Sequence, residues 1–151
     1  MLRFSSIYSD ASSKASTSKL PHWPDAILGI KPKGLLLPGA GGKVGKAGDA
    51  ALGYASAKPF PIWCVLEEIA HPEQSRIAAR AMEAAFEIAA TNGCQSIGLW
   101  LDHRTATLME ADQLASIALG TFMRFPGKHC FSSFHVFRAG TASPGDEPAV
   151  E

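Results

Sequence analysis

The densest run of residues suited to chemistry lies between Gly29 and Gly53, where eight of the fourteen glycines fall. Its centre reads Pro38-Gly39-Ala40-Gly41-Gly42-Lys43-Val44-Gly45-Lys46. Glycine removes the Cβ that would hold a phosphate away from the backbone. The amides of Gly41, Gly42, Val44 and Gly45 are therefore candidate donors to an anion, with Lys46 supplying charge. That reading needs a strand before the loop and a helix after it. The alternative is a loop that needs glycine only because several positions take positive φ. A second constellation, Asp102-His103-Arg104-Thr105, follows a strongly apolar run. Asp102 and His103 are candidate acid or base, and Arg104 a candidate clamp for a phosphate or oxyanion. Consecutive residues of an extended chain point to opposite sides, so Asp102 and His103 form a dyad only if the chain turns there.

Two further readings of the glycine run compete with a general anion loop. Ala40 to Ala47 approaches a P-loop with Gly45-Lys46 in place, but Ala47 stands where Ser or Thr would hold Mg²⁺. Mg-nucleotide hydrolysis is not expected. Gly39, Gly42 and Gly45 are spaced as in a GxxGxxG loop, which resembles the dinucleotide loop of short-chain dehydrogenases, with Glu67 or Glu68 near the place of a ribose-binding acid. Tyr54 and Lys58 also resemble that family's YxxxK pair, but only 53 residues precede Tyr54, and Gly41 stands where the upstream serine belongs. No metal site is expected. Of His129, Cys130 and His135, only the two histidines share a strand face, at ~20 Å, which no single ion bridges.

The elements that must carry these residues follow from punctuation and periodicity. Gly34 to Leu37 reads as a short buried strand closed by Pro38-Gly39, and roughly Val44 to Ala57 as a weak helix. Ile62 to Leu66 is a second buried strand. Pro72 opens a helix to Ala90, with Ile77, Ala81, Ala85 and Ile88 on its apolar face and a left-handed cap at Asn92-Gly93. Ser96 to Leu101 is a third strand. Thr107 to Glu110 has capping-box spacing ahead of a helix carrying Leu114, Ala118 and Phe122, and Cys130 to Arg138 is the last strand. The order β-α-β-α-β-α-β predicts a three-layer α/β fold, its sheet mostly parallel with helices on both faces. Leu36, Ile62, Val65, Ile77, Ala81, Ile88, Ile97, Leu99, Leu114, Ala118, Phe122 and Phe134 are the expected core.

Composition bounds the rest. The chain has 151 residues, 46% of them apolar, with 14 Lys plus Arg against 14 Asp plus Glu. That is one domain with a core, and it lacks the basic excess of a nucleic-acid binder. The uncharged run Ile88–Leu101 is too short and polar to span a bilayer, so no membrane partner is expected. Cys64, Cys94 and Cys130 form no CxxC pair and read as reduced core residues of an intracellular, cytoplasmic fold. Residues 1–19 hold seven serines and one acid and read as a Ser-rich leader for targeting or secretion, or else as an edge strand from Leu2 to Tyr8. The domain is expected over 20–138, with 139–151 a tail.

From Phe60 to Arg138, with the glycine loop before it, the chain resembles a macro domain. The likeness rests on the glycine loop after an apolar run, on Asn92-Gly93-Cys94-Gln95-Ser96-Ile97-Gly98, similar to that family's helix-to-strand Ser-Ile-Ala stretch, and on the helix carrying Ala118 and Phe122. Leu36-Leu37-Pro38-Gly39 replaces the family's Asn-Ala-Ala-Asn, and His103-Arg104-Thr105-Ala106 replaces its Ser-Thr-Gly. The resemblance implies binding of a nucleotide diphosphate, ADP-ribose or an NAD-like relative, by a catalytically degenerate site with no further cofactor. A non-catalytic module for a protein partner, or a targeted effector, is the alternative.

Overall fold

In residues 26–32, 60–66 and 96–101 the side chains alternate between two faces, and one face carries the larger buried cluster. A computed structural model describes residues 3–9, 24–54, 59–68, 71–102 and 104–139. Its elements are β1 (Arg3–Ser9), β2 (Ala26–Pro32), β3 (Ala50–Leu52), β4 (Phe60–Leu66), α1 (Gln74–Thr91), β5 (Ser96–Leu101), α2 (Ala111–Arg124) and β6 (Ser133–Ala139). The sheet order is β1-β6-β5-β2-β4-β3, parallel throughout except for β3 on β4. The expected α/β class with a mostly parallel sheet is the one observed.

The main core lies between this sheet and the two helices. Ala26 and Leu28 of β2, Ile62, Cys64 and Leu66 of β4, and Ile97, Leu99 and Leu101 of β5 join one cluster with Met82, Ala85 and Phe86 of α1 and Leu114, Ala118 and Phe122 of α2. Among the described residues both helices therefore share one face. Phe122 is the hinge of the packing: its ring stacks on Phe134 at 5.1 Å and meets Phe86 edge-on at 5.4 Å. The other face carries a small cluster of Leu37, Ala51 and Val65 with Trp63. No described helix is long and apolar enough to cross a membrane.

Several expectations are corrected. The central strand ahead of the glycine run is β2, Ala26–Pro32, not Gly34–Leu37. Leu35 and Leu36 are 53% and 67% exposed, because that run pairs only through one bridge, Leu36 with Val44, and has no sheet to lie on. Of the Val44–Ala57 helix nothing forms in the described part. The chain runs through loop into β3, so β replaces α at that point of the expected order. Ile77 and Ile88 are half-buried, because Ala78, Met82 and Phe86 turn α1's buried face by one residue. Thr107 does not cap α2. It sits in a 3₁₀ turn with its hydroxyl donating to Arg104 O at 2.7 Å, and Glu110 makes no cap bond. Part of the supposed leader is the sheet's edge: β1 pairs with β6 from Arg3↔Ser133 to Ser9↔Ala139. The tail beyond Ala139 lies outside the described residues. Cys64 and Cys94 are buried, but Cys130 is exposed on a 3₁₀ turn and is no core residue. Burial pushes the Cys64 thiol up to about 12, so it stays protonated and inert.

The stacked position of Phe122 sets the first prediction. Phe122→Ala removes contacts to the rings of Phe86, Phe131 and Phe134 and leaves a cavity, and should lower unfolding free energy by ~3–5 kcal/mol in urea titration. A loss below ~1 kcal/mol would contradict the packing described here.

Candidate functional site

One indole ring organises the face that the helices leave open. Trp63 of β4 stands beside Gly29 of β2 in register, and its ring occupies the space a side chain at that glycine would need. A Cβ at Gly29 would sit 2.7 and 2.9 Å from Trp63 Cζ3 and Cε3, so only glycine fits. The indole Nε1 donates to Pro38 O at 2.7 Å. Gly53 is needed for the same contact, since its Cβ would come within 2.7 Å of Nε1 and 2.8 Å of Pro38 O. The Lys31 ammonium caps the ring at 4.9 Å from its centroid, a cation–π contact.

What Trp63 pins is the root of the glycine run. Residues 34–45 fold back as a hairpin, with Gly34 N on Gly45 O, Gly45 N on Leu35 O and Leu37 N on Lys43 O, each at 2.9 Å. At its tip Gly41 and Gly42 have φ of 68° and 84°, and Lys43 N donates to Ala40 O at 3.3 Å. Two successive positive φ values make this a type I′ turn, which explains the Gly-Gly pair. The helix that the P-loop and dinucleotide-loop readings require does not follow, and those two readings are withdrawn. Nevertheless, the amides of Gly41 and Gly42 donate to no described group, and both positions face open space. Gly45 has a packing reason: its Cβ would lie 3.1 Å from both γ-carbons of Val65. Val44 and Lys46 are exposed.

Beside Trp63 a groove of about 440 Å³ runs over β2, β4 and β5 towards their carboxyl ends. Ile27, Pro59, Pro61, Trp63 and Trp100 give it apolar walls. The pairing of Leu28 with Leu99 carries Gly29 between Trp63 and Trp100. Lys31, Asp102, Arg104 and Thr105 make its polar part. Asp102 and Arg104 of the expected site are thus brought together, while Gly41, Gly42, Val44, Gly45 and Lys46 do not line the groove. His103 lies outside the described residues. Asp102 Oδ1 accepts from Arg104 N at 3.0 Å, Thr105 N at 3.0 Å and Thr105 Oγ1 at 3.1 Å. This carboxylate shapes the turn that presents Arg104. No group of three metal-ligating side chains occurs among the described residues.

Buried Gln74 ties the loops at this end together. Its amide nitrogen donates to Glu67 O at 2.8 Å and Leu108 O at 3.2 Å, and its oxygen accepts from Glu67 N at 3.0 Å. Lys33 and Glu67 add an ion pair at 2.9 Å between the ends of β2 and β4. The Lys33 hydrogen bond holds the Glu67 carboxyl below its ordinary value, and the same bond raises the Lys33 ammonium. Sequence reasoning missed Trp63, Trp100, Lys31 and Gln74. The readable signal was a tryptophan inside an apolar strand and a glycine inside another, whose meeting needs the register.

No protein-family model and no curated protein sequence matches the chain. Solved structures do. The Trypanosoma brucei macrodomain in complex with ADP superposes with a TM-score of 0.65 at 14% identity, over 98% of this chain and 69% of that one. A mutant Oceanobacillus iheyensis macrodomain with ADPR gives 0.60 at 16%, over 95% and 87%. The fold is that of the macrodomains. An alphavirus P23pro-zbd chain also superposes, with 0.55 at 13%, over 89% of this chain and 21% of its own. Within the macrodomain fold the groove described here lies on the central strands β5, β2 and β4.

Two measurements test this construction. Gly29→Val should cost ~1–3 kcal/mol, because the indole must leave its seat, and Trp63→Phe ~1 kcal/mol through the bond lost to Pro38. A Gly29→Val protein as stable as the parent would show that the ring does not rest there. The Lys33–Glu67 pair contributes stability above the ordinary Glu pKa of 4.5 and loses it as pH falls through the lowered folded value. On the alkaline side it contributes below the ordinary Lys value of 10.5 and loses it as pH rises through the raised one. Lys33→Met should therefore flatten the acid limb of stability against pH and leave pH 2 stability unchanged.

Proposed function

We propose that the chain binds a nucleoside diphosphate of the ADP-ribose type and does not turn it over. The observation that carries this is the groove itself. It combines two tryptophans and two unpaired cations at the carboxyl ends of the central strands, in a fold whose solved members hold ADP and ADPR. Among the described residues neither Lys31 nor Arg104 is in an ion pair with a carboxylate, so both are available to phosphate. The apolar faces of Trp63 and Trp100 suit a nucleobase. Gly41, Gly42, Val44, Gly45 and Lys46 lie outside that lining and carry no part of this reading. Asp102 is the only described carboxylate in the lining, and its Oδ1 is committed to three donors of its own turn. That supports binding without a general base.

Thermal unfolding and calorimetry with ADP-ribose, ADP, NAD and Mg-ATP test the reading. ADP-ribose at one hundred times its Kd should add ~2.7 kcal/mol and raise Tm by several degrees. Arg104→Ala should weaken binding about tenfold or more, whereas Gly42→Asn, outside the lining and compatible with the turn, should leave it unchanged. No shift with any of the four at millimolar concentration and low salt would overturn the proposal.

A further inference from the structure

On the helical side, away from the groove, a cleft of about 230 Å³ separates the first half of α1 from the end of α2. Its base holds Thr121, 5% exposed, whose Oγ1 has no hydrogen-bond partner among the described residues. A buried hydroxyl without a partner is destabilising, and valine has the same shape without that penalty. Around it stand Arg76, Arg80 and Arg124, with Glu83 the one acid in the lining. Arg124 folds back over α2, its Nη1 3.4 Å from the Cβ position of Gly120, the residue before Thr121. Arg76 spends its Nε on Glu73 at 3.4 Å, leaving its terminal amino groups. Arg80 and Arg124 make no ion pair among the described residues, and Arg80 passes Gly48 with its Cδ 3.4 Å and its Nη1 4.0 Å from that residue's Cβ position. The lining is two positive charges in excess, at a depth where a hydroxyl waits for an acceptor.

We propose that this cleft is a second anion site, for a phosphate monoester dianion. A monoester carries close to two negative charges at neutral pH and three acceptor oxygens. It matches both the excess charge and the donor set: planar guanidinium forks at the rim and one hydroxyl at the base. A carboxylate would offer half the charge and one oxygen fewer. The site is independent of the nucleotide groove, since no residue lines both.

The test is calorimetric titration of the full chain with inorganic phosphate and with a phosphoserine peptide, at fixed ionic strength. Thr121→Val and the double variant Arg80→Gln/Arg124→Gln serve as controls. One phosphate site is expected, weakened about tenfold by Thr121→Val and abolished by the double variant. Thr121→Val should also melt no lower than the parent, so its loss of affinity is not a loss of fold. Tighter binding of the phosphopeptide than of phosphate would assign the site to a phosphorylated partner, and the reverse to a small phosphate ester. Absence of phosphate binding at millimolar concentration would overturn the proposal. So would binding that neither variant changes.

Discussion

The contact on which the open face depends is the Trp63 indole lying on Gly29 and hydrogen-bonded to Pro38 O. It links β4 to β2 and to the root of the glycine hairpin, both of which lie more than twenty residues earlier in the chain. A ring seated on bare backbone buries large apolar area where no described helix reaches, and its one polar atom finds a carbonyl. The glycines at positions 29 and 53 exist for that ring, and Lys31 lies above it. The groove is the space left between this ring and Trp100.

How much of this the sequence discloses depends on how local the cause is. β5 is legible to the residue, because Ser96–Leu101 is an unbroken apolar run and Asn92-Gly93 ends α1 with Gly93 at φ 74°. β2 is not, because Gly29 and Pro32 break its apolar pattern. The residue that makes Gly29 necessary is thirty-four positions away. Conversely Leu35-Leu36-Leu37 reads as a strand by composition, yet only Leu37 is buried, against Val65 and Ala51. Apolar character predicts burial only where a partner surface exists.

The candidate site divides along the same line. Asp102 and Arg104 sit at the carboxyl end of a strand that sequence reasoning located, so their position in the groove is legible. The glycines mislead in their reason. Gly41 and Gly42 are required by a type I′ turn, and Gly45 by the methyls of Val65, whereas a phosphate loop would require a helix that does not follow. Glycine clustering marks places where backbone must turn or approach something closely. What it approaches is a tertiary fact.

The turn after β5 rests on one carboxylate. Asp102 accepts from two amides and a hydroxyl of its own loop and so closes that loop on itself. Its first task here is to hold Arg104 and Thr105 in place, and Thr105 is buried so that the turn cannot relax outward. Gln74 adds a tie from α1 to the carbonyl of Leu108, three residues beyond Thr105. The carboxylate at the groove's edge is thus spent on holding Arg104 in place. Two indole rings and two cations held on neighbouring strands and the turn after them suit a ligand that offers a flat apolar face together with negative charge.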